Sequence, residues 1–186
     1  NAIARWEAAM EAGDLPAAKK LGPQTAEYTR EMVEETKRLF EHMGVVWLEA
    51  PMEAEGAAAV RCARGEVGAV ASQDWDTLLY GAPVMVRNLT SHGTRRFGRA
   101  LHAERIVLSD MLEAHGISRE QLVDMGIMIG TDFHPGIKGI GPKTGLKLIQ
   151  KHGTMEAVAE ARGFDLPENL DLVRELFMEH PADSGS

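Results

Sequence analysis

Five carboxylates lie in three short stretches of the sequence, and each stretch follows or borders an apolar segment: Glu53, Glu55, Asp74, Asp76 and Asp132. Carboxylates that meet at one edge of a fold repel one another unless cations neutralise them. Oxygen ligands of this kind select hard ions such as Mg²⁺ or Mn²⁺. Two such ions about 4 Å apart are the usual arrangement for hydrolysis of a phosphodiester. The five residues are therefore predicted to be metal ligands and catalytic residues of a hydrolase.

Each acidic stretch also has a simpler interpretation. Glu53 and Glu55 do not share a face of a regular helix, so they converge only if one lies in an irregular first turn; otherwise they are solvated acids that favour the helix dipole. Asp74 and Asp76 would point to the same side of an extended segment, and the alternative is a helix N-cap beside a surface acid. Asp132 is expected to be partly buried, where it either caps the next turn or faces a cation.

A glycine-rich segment, 136–143, lies between two predicted helices. Glycines let a backbone approach a phosphate, and the N-terminus of the following helix offers free N–H groups and a positive dipole. The stretch 136–152 has four lysines and no acid, although the net charge of the whole chain is −8. Local patches determine where phosphate binds. A plain helical turn is the alternative, but the residues predicted to bind DNA backbone are Lys138, Gly139, Gly141, Lys143 and Lys147.

The elements that must position these residues differ between the two halves of the chain. In the first half, the sequence predicts short strands that alternate with helices, a pattern typical of a parallel sheet covered by helices. The predicted strands are 45–48, 67–71 and 84–86, and the predicted helices are two short ones before residue 22, then 25–43 and 51–64. After residue 90 the sequence predicts a polar loop over 91–99, an extended segment over 105–108, and helices that begin at Ser109, Ser118, Pro142, Thr154 and Leu170.

Composition excludes several classes of protein. The chain has 186 residues, of which 44% are hydrophobic and 26% charged, so it is not a disordered segment. No apolar run approaches the roughly 20 residues of a membrane span, and no signal peptide is recognisable. The single cysteine, Cys62, cannot form an internal disulfide, and no Cys/His cluster suggests zinc. A reducing, intracellular setting is predicted.

Four motifs, in this order and at this spacing, resemble the flap endonucleases, especially the archaeal type. They are Ala50-Pro51-Met52-Glu53-Ala54-Glu55, Ser72-Gln73-Asp74-Trp75-Asp76, Gly130-Thr131-Asp132-Phe133 and Gly139-Ile140-Gly141-Pro142-Lys143. The resemblance implies an α/β fold: a partial PIN-like 5′-nuclease sheet covered by helices, followed by a helix–two-turn–helix module. The implied regions are 1–43, the distal helical arch and its return helix; 44–90, the C-terminal part of the nuclease core; 91–180, the duplex-binding region; and 181–186, a loose tail.

The same resemblance implies a structure-specific 5′-flap endonuclease and 5′–3′ exonuclease that acts on branched or flapped duplex DNA in replication and repair. Two Mg²⁺ ions, for which Mn²⁺ can substitute, would be served by the five acids, and K⁺ would bind at the hairpin turn. A sliding clamp is an expected partner of the family, although its binding peptide is not seen after Phe177. No membrane is involved, and the implied location is cytoplasmic and nucleoid-associated if the source is archaeal.

Departures from the family pattern leave alternatives open. The resemblance implies that the family's N-terminal third, with the first strand and two further metal-binding aspartates, is absent, so the metal cluster is expected to be incomplete. A duplex-binding fragment that cannot cleave is therefore the main alternative, and a PIN-type ribonuclease is a third. Met52 and His134 differ from the residues usual in the family, and neither position is expected to be a metal ligand.

Overall fold

The structure is a computed structural model that describes residues 2–21, 29–91, 93–96 and 98–181. It divides into two compact units, Asn1–Leu48 and Glu49–Ser186, and each is described by itself. In the described part of the chain, no helix combines the length and the apolar character that a membrane crossing requires. The predicted tail lies mostly outside the described residues, as does the start of the helix predicted from residue 25.

The first unit contains three helices, α1 (Ala2–Glu11), α2 (Leu15–Leu21) and α3 (Arg30–His42). The two short helices before residue 22 are confirmed. The Thr29 hydroxyl caps α3 by accepting a hydrogen bond from the Met32 backbone N–H at 3.2 Å. Gly44, whose φ is 68°, follows the end of α3 as predicted.

The strand predicted over 45–48 is wrong. No described residue in 45–50 belongs to a strand, and Val46 is 84% exposed. An apolar run becomes a strand only where a neighbouring strand satisfies its backbone groups. Within the described part of the chain, this run has no such neighbour.

The second unit begins with a small sheet and its helices. Its first elements are α4 (Ala54–Ala63), β1 (Val70–Ala71), α5 (Asp76–Leu79) and β2 (Val84–Arg87), followed by β3 (Arg95–Arg96), β4 (Arg99–Ala100) and β5 (Glu104–Val107). β1 pairs with β2 in parallel, with Val70 opposite Met85, whereas β5 pairs with β2 antiparallel, with Val84 opposite Val107. The predicted α/β class is confirmed, but the sheet is mixed rather than parallel.

Two further sequence predictions for this half need correction. The helix predicted from Pro51 begins only at Ala54, because Glu53 still has an extended backbone, with φ −68° and ψ 129°. The loop predicted over 91–99 contains the start of a two-stranded hairpin, in which β3 pairs antiparallel with β4. Pro51 lies outside the helix, and the predicted strand 67–71 contracts to β1.

The remainder of the second unit is helical. It consists of α6 (Leu108–His115), α7 (Arg119–Ile129), α8 (Pro142–His152), α9 (Met155–Arg162) and α10 (Leu170–Met178). Ser118 caps α7 at the predicted start of that helix, and together with Gln121 it forms a capping box. Ser109 does not cap α6, because that helix begins at Leu108 directly after β5.

One hydrophobic core joins the sheet and the helices of the second unit. Met85 of β2 is fully buried, and so are Ile127 of α7, Met155 of α9 and Phe177 of α10. Removing a side chain such as that of Phe177 would cost about 3–5 kcal/mol of stability. The loops at the edge of this core are therefore anchored to well-packed helices and strands. The domain boundary predicted at residue 90 stays a prediction.

Candidate functional site

The structure brings the five predicted acids around one small cavity in the second unit. The cavity has a volume of about 30 Å³, and its lining consists of Glu53, Glu55, Tyr80, Phe133, Asp74, Asp76 and Asp132. Three separate segments contribute: the start of α4, the segment that leads into α5, and the turn after α7. The tertiary structure therefore assembles a cluster whose members are up to 79 positions apart (132 − 53) in the sequence.

The two glutamates reach the cavity because α4 begins between them. Glu53 is the N-cap residue and has an extended backbone, while Glu55 lies in the first helical turn. Glu53 makes no side-chain capping hydrogen bond, so its carboxylate is not used to satisfy the helix end. This is the irregular first turn that the spacing of the pair requires.

Asp74 and Asp76 lie in a tight turn, and the expected extended geometry is wrong. The Asp74 Oδ1 atom accepts a hydrogen bond from the Asp76 backbone N–H at 3.0 Å, and Ser72 Oγ accepts one from Asp74 N–H at 3.0 Å. Asp76 is the first residue of α5. The Arg87 guanidinium also contacts this segment, since it lies 4.2 Å from the centre of the Trp75 ring. Local hydrogen bonding, rather than strand geometry, places both acids at the cavity.

Asp132 is exposed, which corrects the expectation of partial burial. The chain turns sharply here, since Thr131 N–H donates to the His134 carbonyl oxygen at 2.8 Å. Phe133 N–H donates to Thr131 Oγ1 at 3.3 Å, so the hydroxyl of Thr131, and not the carboxylate, caps the turn. The buried apolar residues before this turn belong to α7, and the turn carries Asp132 out of the core.

Burial and mutual repulsion both disfavour the charged form of Asp76. Burial, followed by the charges of Asp74, Asp132, Glu55 and Glu53, raises the pKa of Asp76 from 3.8 to about 6. The neutral form of Asp76 is favoured because both low solvation and like charge penalise the carboxylate. A cation in the cavity would reverse this balance.

Tyr80 is a member of the site that sequence reasoning missed. It is the C-cap residue of α5, and it lines the cavity although it is only 4% exposed. Burial, followed by the charge of Glu53 and then Asp76, raises the pKa of its phenol above the ordinary value. The signal was available, because Asp76 and Tyr80 are four positions apart and share a face of a helix.

The donor set fits a hard divalent cation, but the side chains do not close a metal site on their own. All five acids offer oxygen ligands, which Mg²⁺ prefers. Among the described residues, however, no group of three or more His, Cys, Asp or Glu side chains is arranged so that it could hold a metal ion. Mg²⁺ usually keeps several waters and binds through one or two carboxylates. The chemistry of the donors therefore agrees with the prediction, and their spacing requires water or further ligands.

The glycine-rich hairpin forms a close turn between α7 and α8. Ile137 N–H donates to the Met128 carbonyl oxygen at 2.7 Å, and Ile140 N–H donates to that of Ile137 at 3.0 Å. Gly136 has φ 83°, and a side chain at this position would collide with the carbonyl oxygen of Ile129. Glycine is therefore required where the two arms of the turn approach.

His134 supports the same turn. Its Nδ1 atom lies 3.1 Å from the Ile127 carbonyl oxygen, and it also lies 3.1 Å from the Gly136 backbone nitrogen. Because one ring nitrogen cannot donate and accept a proton at once, the tautomer determines which of the two contacts is a hydrogen bond. In both tautomers the ring bridges the end of α7 and the turn, so His134 has a structural contact here.

The lysines form a basic stripe along α8 and the turn that precedes it. Lys143 and Lys147 are four positions apart, as are Lys147 and Lys151, so the three share one face of α8. Lys138 lies in the turn, and all four lysines are exposed and form no ion pair within the described residues. The N-cap of α8 is Gly141, which has no side chain to cap the helix. The stripe and the helix N-terminus are open to an external anion, and none of these residues lines the acidic cavity.

Comparison with known proteins gives matches over most of the chain. Residues 44–132 match the family model described as the XPG I-region. Flap endonuclease 1 of Ignicoccus hospitalis is 46% identical over 166 residues, which cover 87% of this chain. The solved structure of flap endonuclease-1 from Methanococcus jannaschii superposes with a TM-score of 0.72 at 38% identity and covers 90% of this chain.

The chain is homologous to flap endonuclease 1. The resemblance to flap endonucleases drawn from the four motifs is confirmed, and so is the 5′-nuclease fold. The catalytic core of Rad2 in complex with a DNA substrate has the same fold, with a TM-score of 0.72 at 21% identity over 84% of this chain. The chain spans about half the length of its flap endonuclease relatives, 47% of the Ignicoccus protein and 50% of the Methanococcus chain.

Proposed function

We propose that this chain is the part of a structure-specific DNA hydrolase that supplies most of a divalent-metal site and the grip on duplex DNA. The reaction is cleavage of 5′ flaps, with 5′–3′ exonuclease activity, in replication and repair. The observation that carries the proposal is the convergence of five carboxylates from three segments on one cavity. The named activity of the flap endonuclease 1 relatives supports the same class of reaction.

In this proposal the acids at the cavity hold Mg²⁺, for which Mn²⁺ can substitute: Glu53, Glu55, Asp74, Asp76 and Asp132. A bound divalent ion lowers the pKa of an attacking water and neutralises charge on the phosphate. Asp76 must be ionised to serve as a ligand, and its raised pKa, about 6, is the property that a cation would lower. Tight turns at α4 and α5 orient the carboxylates before substrate binds.

The duplex grip uses the turn and the basic stripe. Lys138, Lys143 and Lys147 are proposed to contact phosphates, and Gly139 and Gly141 to let the backbone approach them. K⁺ is proposed to bind carbonyl oxygens of this turn. Contacts to the DNA backbone carry no sequence information, so binding is expected to be independent of sequence. Branched or flapped duplex DNA is the proposed partner.

A second candidate is a duplex-binding segment that does not cleave by itself. It is favoured by the lack of a closed three-ligand group among the described residues. The two candidates differ in whether the upstream half of a relative restores cleavage. The isolated chain is expected to bind duplex DNA and to cleave a flap poorly.

The test is single-turnover cleavage of a 5′-flap substrate by a chimera that joins the upstream half of the Ignicoccus hospitalis relative to this chain. Asp76→Asn in the chimera is expected to reduce cleavage in Mg²⁺ by about 100-fold or more, because it removes charge stabilisation at the reacting phosphate. Binding measured in Ca²⁺ is expected to be equal or tighter, since a negative charge near phosphate is lost.

Asp165→Asn is the matched control, because Asp165 is exposed and lies outside the acidic cavity. Cleavage by Asp76→Asn at the rate of the parent chimera would refute the assignment of this residue. A chimera that binds the flap but never cleaves it would favour the second candidate.

A further inference from the structure

Tyr80 has a hydroxyl group with no partner inside the protein. The residue is 4% exposed, and its hydroxyl oxygen is buried without a hydrogen bond to any described residue. A buried hydroxyl that makes no hydrogen bond costs about 1–3 kcal/mol. A phenylalanine would fill the same space without this cost. The hydroxyl therefore points to a polar partner that is not a side chain of the described protein.

Packing holds the Tyr80 ring in one position. The ring lies 4.8 Å from that of Phe177 and 5.0 Å from that of His180, measured between centroids. The His180 ring occupies the place that a side chain at position 56 would need, so Gly56 allows α4 to approach it closely. The acids of α4 and the ring of Tyr80 are thus supported by the same aromatic group at the end of α10.

Tyr80 lies beside the acids of the cavity. Tyr80 lines the acidic cavity, and it is one helical turn from Asp76, whose backbone carbonyl oxygen accepts its N–H at 3.0 Å. Glu53 is the acid whose charge acts most strongly on the phenol. The cavity, of about 30 Å³, is large enough to hold a water molecule. Its polar lining offers the several partners that an ordered water requires.

We propose that Tyr80 is a positioning residue of the acidic site, whose hydroxyl donates a hydrogen bond through one water molecule to the carboxylates of Glu53 and Asp76. The water links the two segments that carry these acids and restricts the orientation of both carboxylates. Hydrogen bonds from groups that do not themselves bind the metal orient the metal ligands, and their loss changes metal affinity about 10-fold to 100-fold. The expected effect on metal affinity rests on the proposed function, whereas the proposed hydrogen bond does not.

The metal-free test uses the tyrosine resonances of the full chain. The sequence has two tyrosines, so Tyr28→Phe leaves Tyr80 as the single tyrosine and its ¹³Cζ signal is assigned directly. Glu53→Gln and Asp76→Asn are each expected to shift this signal and to speed exchange of the hydroxyl proton. Glu113→Gln is the control, because Glu113 is exposed on α6 and does not line the cavity. An unchanged Tyr80 signal in both cavity variants would overturn the proposal.

The metal test is a Mn²⁺ titration of the same chain with and without Tyr80→Phe. The variant is expected to keep the melting temperature of the metal-free chain or raise it, and to weaken Mn²⁺ binding by about tenfold. Equal Mn²⁺ affinity in both chains would overturn the positioning role and leave the proposed function intact. If neither chain binds Mn²⁺, the metal part of the proposed function fails for this chain, and the resonance test decides the hydrogen bond alone.

Discussion

Two groups of acidic side chains in the second unit have opposite electrostatics. At the cavity, five carboxylates face one another, and the pKa of Asp76 is raised to about 6. Between α7, α9 and α10, Asp124 and Glu156 instead surround Arg174, whose Nε lies 2.7 Å from Asp124 Oδ1 and whose Nη1 lies 2.6 Å from Glu156 Oε1. The hydrogen bond from Arg174 is the main cause that lowers the pKa of Glu156 to about 2.

The difference separates acids that hold the fold together from acids that are proposed to serve an external ligand. The Arg174 group contains its own cation, and Asp124 also accepts the Met155 backbone N–H at 3.0 Å, so α7, α9 and α10 are joined. The cavity acids have no such cation among their lining residues. Repulsion that the protein leaves uncompensated is typical of a functional site. Substitutions in each group can test this contrast.

The largest expected effect is on the Arg174 group. Arg174→Met should destabilise the chain by about 3 kcal/mol, because Asp124 stays buried and loses its charged partner. Chemical denaturation measures this loss. Arg162→Met is the matched control, since Arg162 is exposed at the end of α9. Equal stability of the two variants would contradict a structural role for the group.

Divalent cations should act on the cavity and not on the Arg174 group. Mn²⁺ at about 100 times its dissociation constant should stabilise the chain by about 2.7 kcal/mol, by mass action on the folded state. Melting curves with and without Mn²⁺ measure the effect. Asp74→Asn and Asp76→Asn should each reduce the Mn²⁺ shift, whereas Asp165→Asn should not. A Mn²⁺ shift that persists in both cavity variants would locate the ion elsewhere.

A smaller effect should appear in the pH dependence of stability without metal. The pKa of Asp76 in the folded state, about 6, exceeds its ordinary value of 3.8. Protonation of Asp76 therefore stabilises the fold fully below pH 3.8, and this stabilisation is lost as the pH rises through about 6. Asp76→Asn should therefore stabilise the chain above about pH 6 by the order of 1 kcal/mol, after solvent screening, and should lose this advantage near pH 4.

Glu156 should give the opposite pH dependence. The pKa of Glu156 in the folded state, about 2, lies below its ordinary value of 4.5. The stabilisation of the fold by its ionised carboxylate is therefore present above pH 4.5 and is lost as the pH falls through about 2. Denaturation of Glu156→Gln at several pH values provides the comparison. The same pH dependence in Asp76→Asn and Glu156→Gln would remove the electrostatic distinction between the groups.

The smallest expected effect concerns the lysines. Lys138→Ala and Lys143→Ala should each reduce the slope of log affinity against log salt by about 0.9 on duplex DNA, since each removes one phosphate contact. The loss should be similar on unrelated sequences. Arg162→Ala, which removes an exposed charge away from α8, should leave the slope unchanged. An unchanged slope in the double lysine variant would exclude the stripe from the binding surface.

Local chemistry made part of this molecule predictable. The capping box of Ser118 and Gln121, the start of α8 at Pro142 and the end of α6 before Gly116 depend on residues within one turn of each other. The same holds for the glycine-rich turn. The four motifs also identified the cavity acids, because their types and order are properties of the sequence.

Only the tertiary structure decided the remainder, since it depends on partners far away in the chain. The apolar run 45–48 has the composition of a strand, yet strand formation requires a neighbour, and the described chain offers none. Asp132 follows apolar residues, yet a turn exposes it. Arg174 lies 50 positions from Asp124, and Tyr80 meets His180 across 100 positions. Periodicity specifies which residues share a face of one element, and long-range packing determines which faces meet.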